Sequence, residues 1–231
     1  MHKKFKEKEK LVDRKKLYSL ADALALLPQT KWAKFDETVD LAVKLGVDTA
    51  KHPSIRGTIA LPAGSGKTKR VAVITSPGKV KEALDAGASS AGSADLIEKI
   101  KGGWLDFDIV IASPDMMPEV GKLGKTLGTK GLMPNPKSGT VTPDIASAVK
   151  EFRGGKVAFK MDKGSVVNLG IGKSSFTADA LKQNFMAAVT VIHHAKPSGV
   201  KGVFIKSLTL STTMGPGIKL NTRQVLDEVE K

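Results

Sequence analysis

The chain contains no cysteine. Disulfides, thiol nucleophiles and cysteine-ligated zinc are therefore excluded, and the absence suits a reducing cytoplasm. No apolar run approaches the ~20 residues that span a bilayer, so no membrane partner is expected. The opening "MHKKFKEKEK" lacks the apolar core of a secretory signal. Catalytic clusters are also missing. His193 and His194 are adjacent on a predicted helix, so they point to different sides and cannot share a metal as an i, i+4 pair would. Asp106 and Asp108 share one side of a strand start, but no His or Cys cluster joins them. Neither a nucleophile elbow nor a dinucleotide fingerprint is present. We therefore expect no enzyme, no cofactor and no metal site.

A phosphate loop is missing too, although three triplets imitate its end. The motif G-x-x-x-x-G-K-[ST] needs its first glycine so that backbone N–H groups can cradle phosphates. Gly66-Lys67-Thr68 has Leu61 in that place, Gly124-Lys125-Thr126 has Glu119, and Gly172-Lys173-Ser174 has Val167. Lys67 also precedes an apolar run, Val71 to Ile74, where the motif should follow a strand and open a helix. "GSGKT" reads as a basic turn before a strand.

What the sequence has in excess is positive charge. The formal net charge is +14 over 231 residues, with 41% hydrophobic content, enough for one large domain or two small ones. Such a balance points to a polyanionic partner, because neutralised phosphates release counterions and drive binding.

Periodicity divides the chain. Residues 11–27 read as a helix, with Leu17, Leu20, Ala21, Leu24 and Leu27 at helical spacing and Pro28 ending the pattern. "KFDETVDLAVKLGVD" then alternates. Phe35, Val39, Leu41, Val43 and Leu45 share one side of a strand, with Glu37 the odd member. Residues 58–61 suggest another strand. After Lys67 the texture changes to strands ("RVAVIT", "FDIVIAS") alternating with helices at Lys79–Ala86, Ala94–Lys101 and Pro143–Phe152, the signature of a parallel α/β layer. From Val157 it reverts. "KVAFKMD" and "SVVNLGIG" read as paired strands, and Thr177 caps a helix to about Ala195. "GVFIKSLTLSTT" reads as a long final strand. The fold expected is α/β and α+β. One α+β domain is built from both chain ends (1–67 plus 159–231), and a Rossmann-like α/β domain is inserted (68–158). The inserted segment has 13 Lys/Arg against 10 Asp/Glu, the remainder 24 against 13. The end-built domain is the better candidate for a phosphate backbone, although the N-terminal run "KKFKEKEKLVDRKK" that carries part of the excess also fits a solvated or frayed helix.

Site candidates cluster in that domain. Ser207, Thr209, Ser211 and Thr213 fall on one side of the last strand, and Phe204, Leu208 and Leu210 on the other. A row of small hydroxyls is also the ordinary solvent face of a strand. The ending "TTMGPG" adds to it: Gly215 and Gly217 let a backbone approach closely, and Met214 offers a soft apolar surface for a ribose or base. Hydroxyls with close backbone suit RNA, whose shallow minor groove displays 2′-hydroxyls. They suit the DNA major groove less, where Arg, Asn and Gln read base edges. Phe35 is either a core-edge residue or a base-stacking platform beside Lys34. "GIGKSSF" (Gly170–Phe176) is either a plain loop or a basic turn that holds phosphates. The stretch Gly121–Thr140, rich in Gly, Lys and Pro, reads as a long loop, a kind often functional or mobile.

Four segments carry a resemblance: "KFDETVDLAVKLGVD" (Lys34–Asp48), "GWLDFDIVIASPDMM" (Gly103–Met117), "LGTKGLMPNPKSGTV" (Leu127–Val141) and "TTMGPG" (Thr212–Gly217). Over almost its whole length the chain resembles the bacterial large-subunit ribosomal protein L-one family, to which "LMPNPK" is highly specific. The resemblance implies a non-catalytic constituent of the large subunit, cytoplasmic and within the ribosome. It would bind ribosomal RNA at the mobile lateral stalk near the exit site and assist release of deacylated tRNA. It would also repress its own messenger by binding a similar RNA element. Ribosomal RNA, the messenger and exit-site tRNA are the implied partners, with a monomer expected when free of RNA. By motif, the resemblance puts Phe35, Glu37, Thr38, Thr213, Met214 and Gly215 at the RNA. Lys34, Gly172, Lys173, Ser175 and Ser211 support them. Glu37 would accept a hydrogen bond from a base amino group or a 2′-hydroxyl. Two other readings remain open. A nucleotide-dependent enzyme predicts ATP or GTP binding abolished by Lys67→Ala, and a DNA-binding architectural protein predicts no preference for RNA.

Overall fold

The computed structural model describes residues 3–49, 55–197, 199–200 and 202–229. Met1 and His2 of the N-terminal run lie outside the described residues. In chain order the elements are α1 (Lys3–Glu9), α2 (Leu20–Thr30), β1 (Thr38–Leu45), β2 (Arg56–Ala60), β3 (Val71–Ile74), α3 (Val80–Asp85), β4 (Ser90–Gly92), α4 (Ala94–Lys101), β5 (Ile109–Ala112), α5 (Met117–Gly121), α6 (Gly124–Thr129), α7 (Ile145–Gly154), β6 (Lys156–Lys160), β7 (Val166–Lys173), α8 (Ala178–His194), β8 (Ile205–Thr212), β9 (Ile218–Leu220) and α9 (Thr222–Val229). The fold is mixed α/β. The chain divides into two compact units, residues 1–66 with 157–231, and residues 67–156.

The first unit is organised by a four-stranded antiparallel sheet in the order β7-β1-β8-β9. Its period-two pattern is strict on β1. Val39, Leu41 and Val43 are fully buried and Leu45 nearly so, while the residues between them reach solvent. Their side chains meet Val167, Leu169 and Ile171 of β7 and Leu208 and Leu210 of β8. Helix α8 covers this face with Leu181, Phe185, Ala188, Val189 and Ile192, and α2 adds Ala23, Leu24 and Leu27. A separate two-stranded sheet pairs β2 with β6.

The second unit is a parallel sheet, β4-β3-β5. All four residues of β3 are buried. Ala72 and Ile74 pack with Leu96, Ile100 and Leu127, whereas Val71 and Val73 pack with Ala83, Val149 and Phe152. Coverage on both faces explains why "VAVI" is apolar throughout rather than alternating.

Four local expectations change. The helix expected at 11–27 is α2, Leu20–Thr30. Ser19 caps it by accepting from the Asp22 amide at 3.1 Å, so Leu17 falls outside and is exposed. Pro28 does not end it, because a proline in the last turn removes only one amide donor. β6 and β7 are not partners in a ladder. β6 joins β2 and β7 joins β1; the two meet just past β6, at the Met161–Val167 bridge and the bond from the Asp162 amide to the Val166 carbonyl (2.9 Å). β8 is not the final strand, since β9 and α9 follow it. The stretch Gly121–Thr140 is not structureless either. It contains α6, and Thr140 Oγ1 accepts from the Asn135 amide at 2.8 Å to close the next turn.

Candidate nucleic-acid interface

Three chain segments meet at one end of the four-stranded sheet because of its register. Thr38, the first residue of β1, pairs with Lys173 at the end of β7, and Val39 pairs with Thr212 at the end of β8. The loop entering β1, the turn leaving β7 and the turn leaving β8 therefore lie side by side. On β7 an extra residue, Ile171, sits between the partners of Val39 and Asp40, a bulge that re-aims the strand end.

Glu37 organises one side of this junction. It is fully buried. Its Oε1 accepts from the amides of Ala33 (2.9 Å) and Trp32 (3.2 Å), and its Oε2 from the amide of Met214 (3.1 Å). Burial pushes the carboxyl pKa up. The amides of Ala33 and Met214, the Thr212 hydroxyl and the Trp32 amide outweigh it and hold the pKa below its ordinary value. The buried Thr212 Oγ1 adds to this field without a well-formed hydrogen bond of its own. Trp32 Nε1 donates to the Met214 carbonyl at 2.8 Å, so the turn is held from both sides of its backbone. Gly215 completes the packing: a Cβ there would lie 2.3 Å from Thr212 Oγ1.

Asp36 organises the other side. Its carboxylate accepts from Ser174 Oγ (2.8 Å), Ser175 Oγ (2.8 Å) and the Ser175 amide (3.2 Å). Hydrogen bonds from Ser174 and then Ser175 hold its pKa down, and the charge of Lys173 contributes in the same direction. Lys173 Nζ donates to the Asp36 carbonyl at 3.2 Å. Thr213 bridges to the middle segment, where its Oγ1 accepts from the Thr38 amide at 2.9 Å.

These bonds present Phe35, 54% exposed, and Met214, 42% exposed, as apolar surfaces among hydroxyls and lysines. Lys34, Ser175 and Thr213 are exposed, and Thr38, Lys173, Ser211 and Gly215 are half-buried. Ser211 pairs with Asp40 and lies with Thr38 on the sheet face opposite the core. Two predicted site residues behave otherwise. A direct contact from Glu37 to RNA does not fit, because the carboxylate is buried and engaged by three amides. Gly172 is buried as well. A Cβ on it would stand 2.8 Å from Leu181 Cδ2 and 3.0 Å from Phe176 Cδ2, so its bare backbone serves packing. Phe35 is not on the inward side of β1 but precedes the strand. Sequence reasoning passes over Asp36 and Trp32, whose partners lie 138 and 182 residues away. No local pattern reveals them.

The "GSGKT" turn, up to Gly66, abuts the turn leaving β7: a Cβ on Gly66 would lie 2.7 Å from Lys173 Cγ and 3.1 Å from Phe176 Cε1. Gly64 and Gly66 adopt φ 75° and 67°, which side-chain-bearing residues rarely do. Buried Asn184 pins the turn, accepting from the Ala63 amide (2.9 Å) and donating to the carbonyls of Gly64 (2.9 Å) and Ile171 (2.7 Å). After Thr68 the chain runs into β3, not into a helix. A phosphate loop is built the other way round. Asp106 and Asp108 pair with Arg70, and among the described residues no His, Asp or Glu group has metal-site geometry.

Residues 27–216 match the model of the ribosomal protein L1p/L10e family. The chain is also 49% identical over 223 residues to the large ribosomal subunit protein uL1 of Protochlamydia amoebophila (strain UWE25), an alignment that covers 96% of this chain and 94% of that protein.

Proposed function

The chain belongs to the ribosomal protein L1p/L10e family, and on that premise we propose that its sheet-end surface binds the lateral-stalk region of large-subunit ribosomal RNA. Membership makes it a non-enzymatic constituent of the large ribosomal subunit that binds ribosomal RNA, located in the ribosome in the bacterial cytoplasm. The finer reading adds three activities: binding at the stalk near the exit site, assistance in releasing deacylated tRNA, and repression of its own messenger through a similar RNA element. The free protein is a monomer in this reading, and the end-built unit is the RNA-binding one.

The observation that carries it is the convergence of three turns on exposed Phe35 and Met214. The backbone that carries each is held by a carboxylate: Glu37 accepts from the Met214 amide, and Asp36, next to Phe35, accepts from Ser174. A flat ring and a thioether can lie on ribose and base faces. Ser211 offers a hydroxyl to phosphates, while Ser175 and Thr213, whose hydroxyls donate to Asp36 and to the Thr38 carbonyl, can accept from 2′-hydroxyls. Asp36 and Glu37 would repel a polyanion if free. Here their charge is taken up by serines and backbone amides. Filter binding across a salt series tests it, with stalk-region RNA, a same-length unrelated RNA and labelled ATP as ligands. Tight, salt-tolerant binding to the stalk RNA alone is expected. Met214→Asp should abolish that preference while leaving the fold intact, since it sets a charge against the phosphates. Equal, salt-fragile binding to both RNAs by the parent protein would remove the assignment.

A further inference from the structure

We propose that helix α1 and the segment after it form a second phosphate-binding element, extending the RNA surface beyond the three turns; this rests on the RNA reading of those turns. Between Lys3 and Lys16 the chain carries eight Lys/Arg and three Asp/Glu, a large share of the whole protein's excess in 14 residues. Placement makes that charge relevant. Phe5 and Glu9 of α1, with Val12 and Arg14, line a cavity of about 300 Å³ whose opposite wall is Thr209, Pro216, Gly217 and Lys219. Pro216 and Gly217 follow Met214 and Gly215 in the same turn. Across the sheet, in the order β7, β1, β8, β9, the turn at 173–176, the loop at 34–37 and the turn at 213–217 follow one another. The strand spacing makes this row about 14 Å wide. Helix α1 lies beside the β8–β9 end of this row, where it shares the cavity with Thr209 of β8 and Lys219 of β9.

The way α1 is attached fits a binding role better than a structural one. Seven residues are too few for a stable helix on their own. Phe5 is its one hydrophobic side chain, and it faces a cavity rather than a filled core. Its other anchors are polar: Lys8 Nζ donates to the Gln29 carbonyl at 2.6 Å, and Arg14 pairs with Glu9. Lys6 and Lys10, one turn apart, are exposed. A phosphate backbone laid across the turns is the partner whose charge answers this strip, and neutralising it releases counterions.

The test uses the full-length protein and the stalk-region RNA over a salt series. The Lys6→Gln/Lys10→Gln double variant should lower the slope of log affinity against log salt by about 1.8, at roughly 0.9 per phosphate contact. Lys81→Gln/Lys101→Gln, an equal change of charge on exposed lysines of the second unit, should leave the slope unchanged. Circular dichroism and the thermal midpoint check that both variants fold as the parent does. An unchanged slope for the first pair, while Met214→Asp still abolishes specific binding, would overturn the role of α1 and leave the turns as the RNA site. An equal fall for both pairs would also overturn it, because the effect would be net charge alone. A parent protein without preference for the stalk RNA would overturn the reading of the turns and, with it, this one.

Discussion

Replacing Glu37 by glutamine changes one atom and disturbs three hydrogen bonds. The carboxylate accepts from Trp32, Ala33 and Met214, all backbone amides in a buried site. Glutamine keeps an oxygen for the first two but makes them neutral. Bonds to a charged acceptor contribute about 1.5–3 kcal/mol each and neutral ones about 1. The third amide, of Met214, then faces an NH2 group, donor against donor. A loss of about 3 kcal/mol follows, shared between global stability and local order of the Met214 turn. The assay should separate the two units, and the tryptophans allow it. Trp32 belongs to the first unit and Trp104 to the second. Urea titration followed by the two indole N–H resonances should show the Trp32 transition moving to lower urea and the Trp104 transition unmoved. RNA affinity should fall with the former. The pH dependence has a fixed sign. A folded-state pKa below the unfolded one makes Glu37 stabilising above its unfolded pKa, and that contribution disappears as pH falls through the lower folded value. The variant should therefore differ most from the parent near neutrality and converge with it in acid. A Trp32 transition within about 0.5 kcal/mol of the parent at pH 7 would refute the claim that this carboxylate holds the turn.

The Asp36 carboxyl should titrate below its ordinary value. The order of the Ser174–Ser175 turn, read from serine amide shifts, should persist to that lower pH and be lost on further acidification; a carboxyl resonance titrating at or above the ordinary value would contradict it. Gly215→Ala sets a Cβ 2.3 Å from Thr212 Oγ1. It should cost about 1–3 kcal/mol by denaturant titration and weaken RNA binding, whereas parent-like stability would mean the turn has slack. Asn184→Ala leaves the Ala63 amide and the carbonyls of Gly64 and Ile171 without their partner. A loss of about 2–4 kcal/mol in the first unit is expected, and an unmoved urea midpoint would show that the Gly64–Gly66 turn needs no clamp.

Repeating patterns are legible in the sequence alone. The alternation of Val39, Leu41, Val43 and Leu45 places β1 with the correct inward face. Thr177 and the stripe Leu181–Phe185–Ala188–Val189–Ile192 place α8. The same alternation puts Glu37 on the inward side, and that phase is the available sign of a buried carboxylate. The α2 boundary is not legible, because Leu17 continues the helical spacing that Ser19 interrupts by capping. The absence of a β6–β7 ladder is hidden for a related reason: adjacency in sequence favours pairing, but β1 and β2 take those partners from far upstream.

By itself the sequence determined the polyanion-seeking charge, the absence of thiol and phosphate-loop chemistry, the change of texture near residues 67 and 157, and the family. These properties depend on composition, on local period, or on a motif read in order. Tertiary structure decided which residues face outward at the sheet end and what holds them there. Asp36 meets Ser174 and Ser175, Trp32 meets the Met214 carbonyl, and Asn184 clamps a turn 120 residues away. A hydrogen bond is set by distance and direction in space, and the two pairings of β1, Thr38 with Lys173 and Val39 with Thr212, bring Asp36 and Trp32 within reach of their partners.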